Sequence, residues 1–231
     1  PFGGSLVTGY YQGSYKMASL SWEKATTWGI GIDFTLFNKL TGSIDYYNRK
    51  TTDIIMNVSV PKEFALGAYK DNVGAMKNSG IEVQLAYNDT WNDWTFGVSG
   101  NFAYNKNTIE NLGGVDRMAD GSFMREVGSP INSWFVYRTD GFFQSDEEAA
   151  AWQAKYSAMD GYPFGQDFKA GDLRYVDANG DGKISADDRE LYRTKDPKFT
   201  FGFNINVGYK NVDLSMNFNG AAGVGYAFTK E

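Results

Sequence analysis

The chain has 231 residues, a formal net charge of −6, 42% hydrophobic and 16% aromatic content, and neither Cys nor His. The missing thiols and imidazoles exclude disulfide scaffolds, thiolate metal sites and the commonest nucleophile and general-base chemistries. The acidic balance excludes a nucleic-acid partner, whose phosphates need clustered Lys and Arg, and the lack of any run of about 18 apolar residues excludes a transmembrane helix.

The opening Pro1-Phe2-Gly3-Gly4-Ser5 has no initiator Met and no charged-then-apolar leader, so it reads as an interior piece of a longer protein. Residues 1–26 read as a loop with part of a strand. From there Trp28, Ile30, Ile32, Phe34 and Leu36 alternate with Gly29, Gly31, Asp33 and Thr35, which predicts a strand over about 27–37. A turn at Asn38-Lys39 leads to a second strand over 40–56, ended by Pro61. A loop over 61–78 containing Asn72-Val73-Gly74 follows, then strands over 79–88 and 94–105, joined by an Asn88-to-Asp93 turn. After a long excursion over 106–196 the alternation is cleanest. Phe199, Phe201, Phe203, Ile205, Val207 and Tyr209 interleave with Thr200, Gly202, Asn204, Asn206 and Gly208. After Lys210-Asn211 the pattern returns over 212–220.

A strand with one apolar face and one small or polar face has two different solvents beside it. Runs of this length match a tilted crossing of a hydrocarbon layer, and tight turns alternating with long loops match the periplasmic and outer ends of a membrane barrel. The fold class is therefore all-β: part of a large antiparallel transmembrane β-barrel with long extracellular loops and a short loop helix. Six strands are fewer than the minimum of about eight for a single-chain barrel, so further strands must come from sequence beyond this segment. Phe228-Thr229-Lys230-Glu231 does not read as a closing strand.

The excursion carries the sharpest local motif. Over 177–188, Asp177, Asn179, Asp181, Ser185 and Asp188 fall at positions 1, 3, 5, 9 and 12 of a twelve-residue loop, with Gly182 at 6 and Ile184 at 8. That spacing suits a calcium ion, a hard cation held by six to eight oxygens, with Lys183 contributing its carbonyl. The alternative is a metal-free pair of Asn-Gly and Asp-Gly turns. Arg174-Tyr175-Val176 before the loop reads as extended, which favours a structural calcium clamp over a helix-flanked sensor. Upstream, Ser145 and Glu148 form a capping box for a short helix that packs Trp152 inward. Trp134, Phe135, Tyr137 and Phe142 are weak candidates for stacking on a solute, against the commoner reading of aromatics packed beneath an ordered loop. Asp45 and Glu82 on the wet face read as lining residues and not as a glycosidase acid pair.

Several blocks in a fixed order then point to one family. Leu20-Ser21-Trp22-Glu23, Trp28-Gly29-Ile30-Gly31-Ile32-Asp33-Phe34 and Leu40-Thr41-Gly42-Ser43-Ile44-Asp45-Tyr46-Tyr47-Asn48-Arg49 come first. Asn72-Val73-Gly74, Asn78-Ser79-Gly80-Ile81-Glu82, Gly171-Asp172-Leu173-Arg174-Tyr175-Val176-Asp177 and Asp196-Pro197-Lys198-Phe199 follow. Together they resemble the C-terminal barrel region of SusC/RagA-type TonB-linked outer-membrane proteins of Bacteroidetes. The resemblance implies a barrel of roughly 22 strands with an internal plug, a location in the outer membrane amid its lipid, a SusD-like surface lipoprotein as lid, and energy from the TonB complex acting on regions outside this chain. It also implies a glycan or peptide solute and no catalysis. The alternatives are a siderophore or vitamin receptor of related architecture, and a soluble calcium-bound glycan-binding β protein.

Overall fold

In hydrocarbon every backbone N–H and C=O must find a partner inside the protein, so strands that face lipid have to pair without gaps. The computed structural model, which describes residues 20–58, 69–159, 161–165 and 167–226, does this with a six-stranded antiparallel sheet in the order β1-β2-β3-β4-β11-β12. The strands are β1 (Lys24–Leu36), β2 (Leu40–Val58), β3 (Tyr69–Trp91), β4 (Trp94–Leu112), β11 (Phe199–Tyr209) and β12 (Val212–Ala222). Between β4 and β11 lie β5 (Arg117–Asp120), β6 (Phe123–Glu126), β7 (Ser133–Tyr137), β8 (Thr139–Phe142), α1 (Asp146–Tyr156), β9 (Leu173–Tyr175) and β10 (Arg189–Thr194). The chain divides into two compact units. One holds the large sheet; the other comprises Ala119–Met124, Asn132–Asp196 and Gly223 onward.

The register across the large sheet sorts residues by solvent. One row runs Ile32, Ile44, Val83, Phe102 and Phe201; the adjacent row on the opposite face runs Asp33, Ser43, Gln84, Asn101, Gly202 and Asn219. The apolar face is uncovered, with Ile30 70% and Leu214 55% exposed. Such a wall in water would be an association site; beside acyl chains it is the expected surface. The 11 residues of β11 reach about 33 Å, which a tilt of ~40° reduces to ~25 Å, the height of the apolar band of a membrane barrel. Aromatic pairs mark both ends: Trp28 and Tyr46 with ring centroids 5.4 Å apart at one, Trp94 and Tyr209 at 4.5 Å at the other. Rings of this kind settle at the boundary between lipid and water.

The turns at the second end are tight. Phe37 and Asn38, Asn92, and Lys210 adopt positive φ, which matches the right-handed twist of the flanking strands. The turn expected over Asn88–Asp93 is shorter than its sequence suggests, because β3 continues to Trp91 and pairs it with Trp94.

At the other end the strands run further than their alternation predicts. Residues 69–78, expected in a loop, belong to β3, and β4 continues to Leu112 instead of ending at 105. Above the hydrocarbon both faces of a strand meet water, so nothing selects a period of two and the sequence signal vanishes while the ladder persists. Asn72 shows why its motif sits here. Its side-chain amide donates to the Asp53 carbonyl at 2.6 Å and the Ser21 carbonyl at 2.9 Å, pinning a bulge in β2 where Asp53 takes φ 59°. Two residues on, a Cβ on Gly74 would lie 2.6 Å from the Met56 sulfur. Pro61 and residues 1–19 lie outside the described residues.

The two faces should tolerate charge unequally. In the full-length barrel Leu85→Arg should lower stability in lipid by about 2–4 kcal/mol, whereas Gln84→Arg, one residue away on the wet face, should cost under about 1 kcal/mol. Denaturant unfolding from vesicles reads both.

Candidate functional site

Most of the excursion predicted as one loop over 106–196, from Asn132 to Asp196 with Ala119–Met124, belongs to a folded unit with its own core. Phe143, Ala149 and Phe168 are buried, and Trp152, Tyr162, Phe164 and Tyr175 pack around them. Phe164 stacks on Tyr175 at 4.3 Å, and Trp152 meets Phe168 edge-on at 5.3 Å. Burial pushes the phenols of Tyr137, Tyr162 and Tyr175 above the usual tyrosine range. Helix α1 starts as its sequence indicates, with the Ser145 hydroxyl accepting from the Glu148 N–H at 3.2 Å. The reciprocal bond differs from the standard box: the Glu148 carboxylate takes the Gln144 N–H at 2.7 Å. It also receives the Arg174 guanidinium, which reaches Asp140 at 2.6 Å as well. Arg174 thus ties the paired strands β8 and β9 to the helix between them. The Gln144 N–H and then Arg174 hold the Glu148 carboxyl below its ordinary range.

The candidate aromatics fall on β7 and β8. Trp134 donates its indole N–H to the Gly225 carbonyl at 2.8 Å and packs on Phe123 with centroids 4.4 Å apart. Tyr137 rests against Phe164 and Tyr175. Phe135 lies under the Arg189 guanidinium at 4.7 Å, and Phe142 is 56% exposed. Trp134, Phe135 and Tyr137 border one cleft of about 750 Å³ together with Arg138, Arg189 and Tyr226; Phe142 is not part of that lining. Sequence reasoning missed Arg138, Arg189 and Tyr226, which lie far apart along the chain and carry no local pattern. In the sheet unit Asp45 and Glu82 are direct cross-strand partners on the polar face.

The acidic loop is built from backbone N–H groups caught by side-chain oxygens. Asp177 accepts from Gly180 and Gly182, each at 2.7 Å, and Asn179 accepts from Asp181 at 2.9 Å. Asp181 accepts from Lys183 at 2.8 Å. Asp188, fully buried, closes the loop by accepting from Ala178 at 2.8 Å and Ser185 at 2.6 Å. Gly182 sits at φ +84°, where other residues are strained. Ile184 is fully buried and anchors the centre. Every donor the loop offers to a metal is an oxygen, which suits calcium and not a soft ion. Among the described residues no three carboxylates gather at one point. An ion here would therefore draw on Asn179, Ser185 and the Lys183 carbonyl beside Asp177, Asp181 and Asp188.

A family model for the TonB dependent receptor-like β-barrel matches residues 2–224. The chain is 31% identical over 227 residues to the TonB-dependent receptor SusC of Bacteroides thetaiotaomicron, covering 94% of this chain and 21% of that protein. It is 29% identical over 232 residues to the TonB-dependent receptor P26 of Formosa agariphila, covering 95% of this chain and 22% of the relative. Among solved structures, the RagAB peptide importer in its 'open-open' state aligns at a TM-score of 0.68 and 25% identity, over 91% of this chain and 22% of that one. The 'closed-closed' state aligns at 0.64 and 26%, over 89% and 22%. The chain thus spans about a fifth of the length of these relatives.

A depressed carboxyl pKa contributes stability that is present above the unfolded value and lost as pH falls through the folded one. Acidification toward about pH 3 should therefore loosen α1, and Glu148→Gln in the full-length protein should loosen it already at about pH 7. Protease cleavage within 146–156 is the readout. Equal cleavage of variant and wild type near neutrality would contradict the role given to Glu148.

Proposed function

The chain belongs to the TonB dependent receptor-like β-barrel family of the outer membrane, and from that premise we propose that it forms barrel wall and outer loops of a SusC/RagA-type importer carrying glycans or peptides into the periplasm. A SusD-like lipoprotein would cover the outer mouth, and TonB would supply energy through regions outside this chain. The observation that carries this reading is the joint likeness to SusC and to the RagAB peptide importer over nearly the whole segment. The geometry agrees with a conduit. The polar face offers small and amide side chains such as Ser43, Gln84, Asn101 and Asn204, which wet a passage without fixing any one solute.

No step in this reading requires bond chemistry, and Asp45 and Glu82 serve as charged lining. The soluble glycan-binding alternative does not fit an outer-membrane barrel wall. The siderophore and vitamin alternative lacks support from the relatives named above.

Within the second unit we infer that the 177–188 loop holds calcium as a structural clamp. The oxygen-only donor set supports it, as does the spacing of Asp177, Asn179, Asp181, Ser185 and Asp188 along twelve residues with Gly182 at the sixth. The ion would be held by Asp177, Asn179, Asp181, Ser185, Asp188 and the Lys183 carbonyl. Bound there, it would fix the start of β10, which follows Asp188 directly.

Two measurements on the full-length protein test these assignments. Purified in detergent, it should carry along a surface lipoprotein and show saturable binding of either oligosaccharides or oligopeptides; a solitary barrel that binds neither contradicts the importer reading. Calcium titration should raise protease resistance over 177–188, and Asp177→Ala with Asp181→Ala should abolish that gain. Identical titrations for variant and wild type would remove the metal.

A further inference from the structure

A stripe of lysines crosses four neighbouring strands just beyond the aromatic ring of the sheet. Lys24, Lys50, Lys77 and Lys106 lie on the same face as Trp28, Tyr46, Ile81 and Tyr104, two or four residues further toward the long-loop end. At about 3.3 Å per residue and a tilt of ~40°, that is ~5–10 Å above the ring. This is the depth of lipid head groups, on the side where membrane barrels carry their outer loops.

The stripe is contiguous. Lys50 and Lys77 are direct cross-strand partners; Lys24 pairs with Thr52, one pleat from Lys50, and Lys106 pairs with Ser79, one pleat from Lys77. Like charges placed opposite each other destabilise a sheet unless something neutralises them. Asp53 reaches Lys24 at 2.8 Å and Glu110 reaches Lys50 at 2.7 Å. Among the described residues no carboxylate forms an ion pair with Lys77 or Lys106. Between them the same face offers Asn48, Ser79 and Thr108, short donors suited to phosphate oxygens. The excess runs against the chain's own balance of −6, so composition does not explain it.

We propose that this stripe, centred on Lys77 and Lys106, binds the phosphates of lipid head groups in the outer leaflet. The occupant follows from two features of the surface. It continues the wall that already faces acyl chains, so whatever meets the lysines has its tails against Phe102, Val83 and Ile44, and its charge must be negative. An amphiphile with an anionic phosphate head satisfies both, and each surface lysine adds about 1 kcal/mol to such a contact.

The full-length protein in phosphatidylcholine nanodiscs, supplied with diphosphorylated lipid A or with the same lipid stripped of phosphate, tests the assignment by native mass spectrometry of retained lipid. The wild type should retain the phosphorylated lipid preferentially, and less so as salt is raised. Lys77→Gln with Lys106→Gln should weaken retention about thirtyfold, the fold-change for two such lysines, while Lys77→Arg with Lys106→Arg should keep it. Lys210→Gln, at the opposite end of the sheet, should change nothing. Equal retention of the phosphate-free lipid, an unaltered Gln double variant, or full displacement by millimolar inorganic phosphate would each overturn the proposal. Should the Gln variant fail to insert, the lipid comparison and the salt series on the wild type decide alone.

Discussion

The constraint on which the rest depends is that hydrocarbon offers no hydrogen bonds. A strand crossing it must satisfy its backbone on its neighbours, residue by residue, and the continuous pairing from β1 to β12, irregular only toward the outer ends of β2 and β3, is the outcome. Once each strand is fixed edge to edge, only the two faces remain for side chains to choose between. Ile32, Val83 and Phe201 take one and Asp33, Gln84 and Gly202 the other. It is the first face, set against acyl chains, that holds the wall in place.

Where the hydrocarbon stops, the constraint relaxes and different forces shape the chain. β2, β3 and β4 keep pairing into water, with a bulge at Asp53 locked by Asn72, since exposed backbone there can also bond to solvent. The second unit is a separate aromatic core around Phe143 and Phe168, with Arg174 bridging Asp140 and Glu148 at its edge. Apolar packing, absent as a force between residues that already face lipid, is what organises this unit. The acidic loop follows a third rule, in which side-chain carboxylates replace carbonyls as acceptors for turns that no helix or strand can serve.

These differences explain what the sequence made legible. β1, β11 and β12 could be placed within about three residues because two solvents imposed a strict alternation. The outer halves of β3 and β4 could not, because Lys77 and Ile109 answer to no such rule, and Asn72-Val73-Gly74 reads as part of a loop although Gly74 leaves room for the Met56 and Ile54 side chains within a sheet. Ser145 and the loop spacing from Asp177 to Asp188 were readable as local chemistry. The partnership of Glu148 with Arg174 was not, since 26 residues separate them. The aromatic residues of β7 were visible, but their roles were not: Trp134 bonds to Gly225 across 91 positions, a contact no local pattern encodes.

The absence of native cysteine from this segment makes the sorting of faces directly measurable. Single cysteines placed in turn from 199 to 209 of the full-length barrel, spin-labelled in bilayers, would be compared for accessibility to oxygen, which concentrates in lipid, and to a water-soluble nickel chelate. The account predicts that odd positions favour oxygen and even positions the chelate, with a period of two along the whole strand. Accessibility without that period, or with its phase reversed, would contradict it.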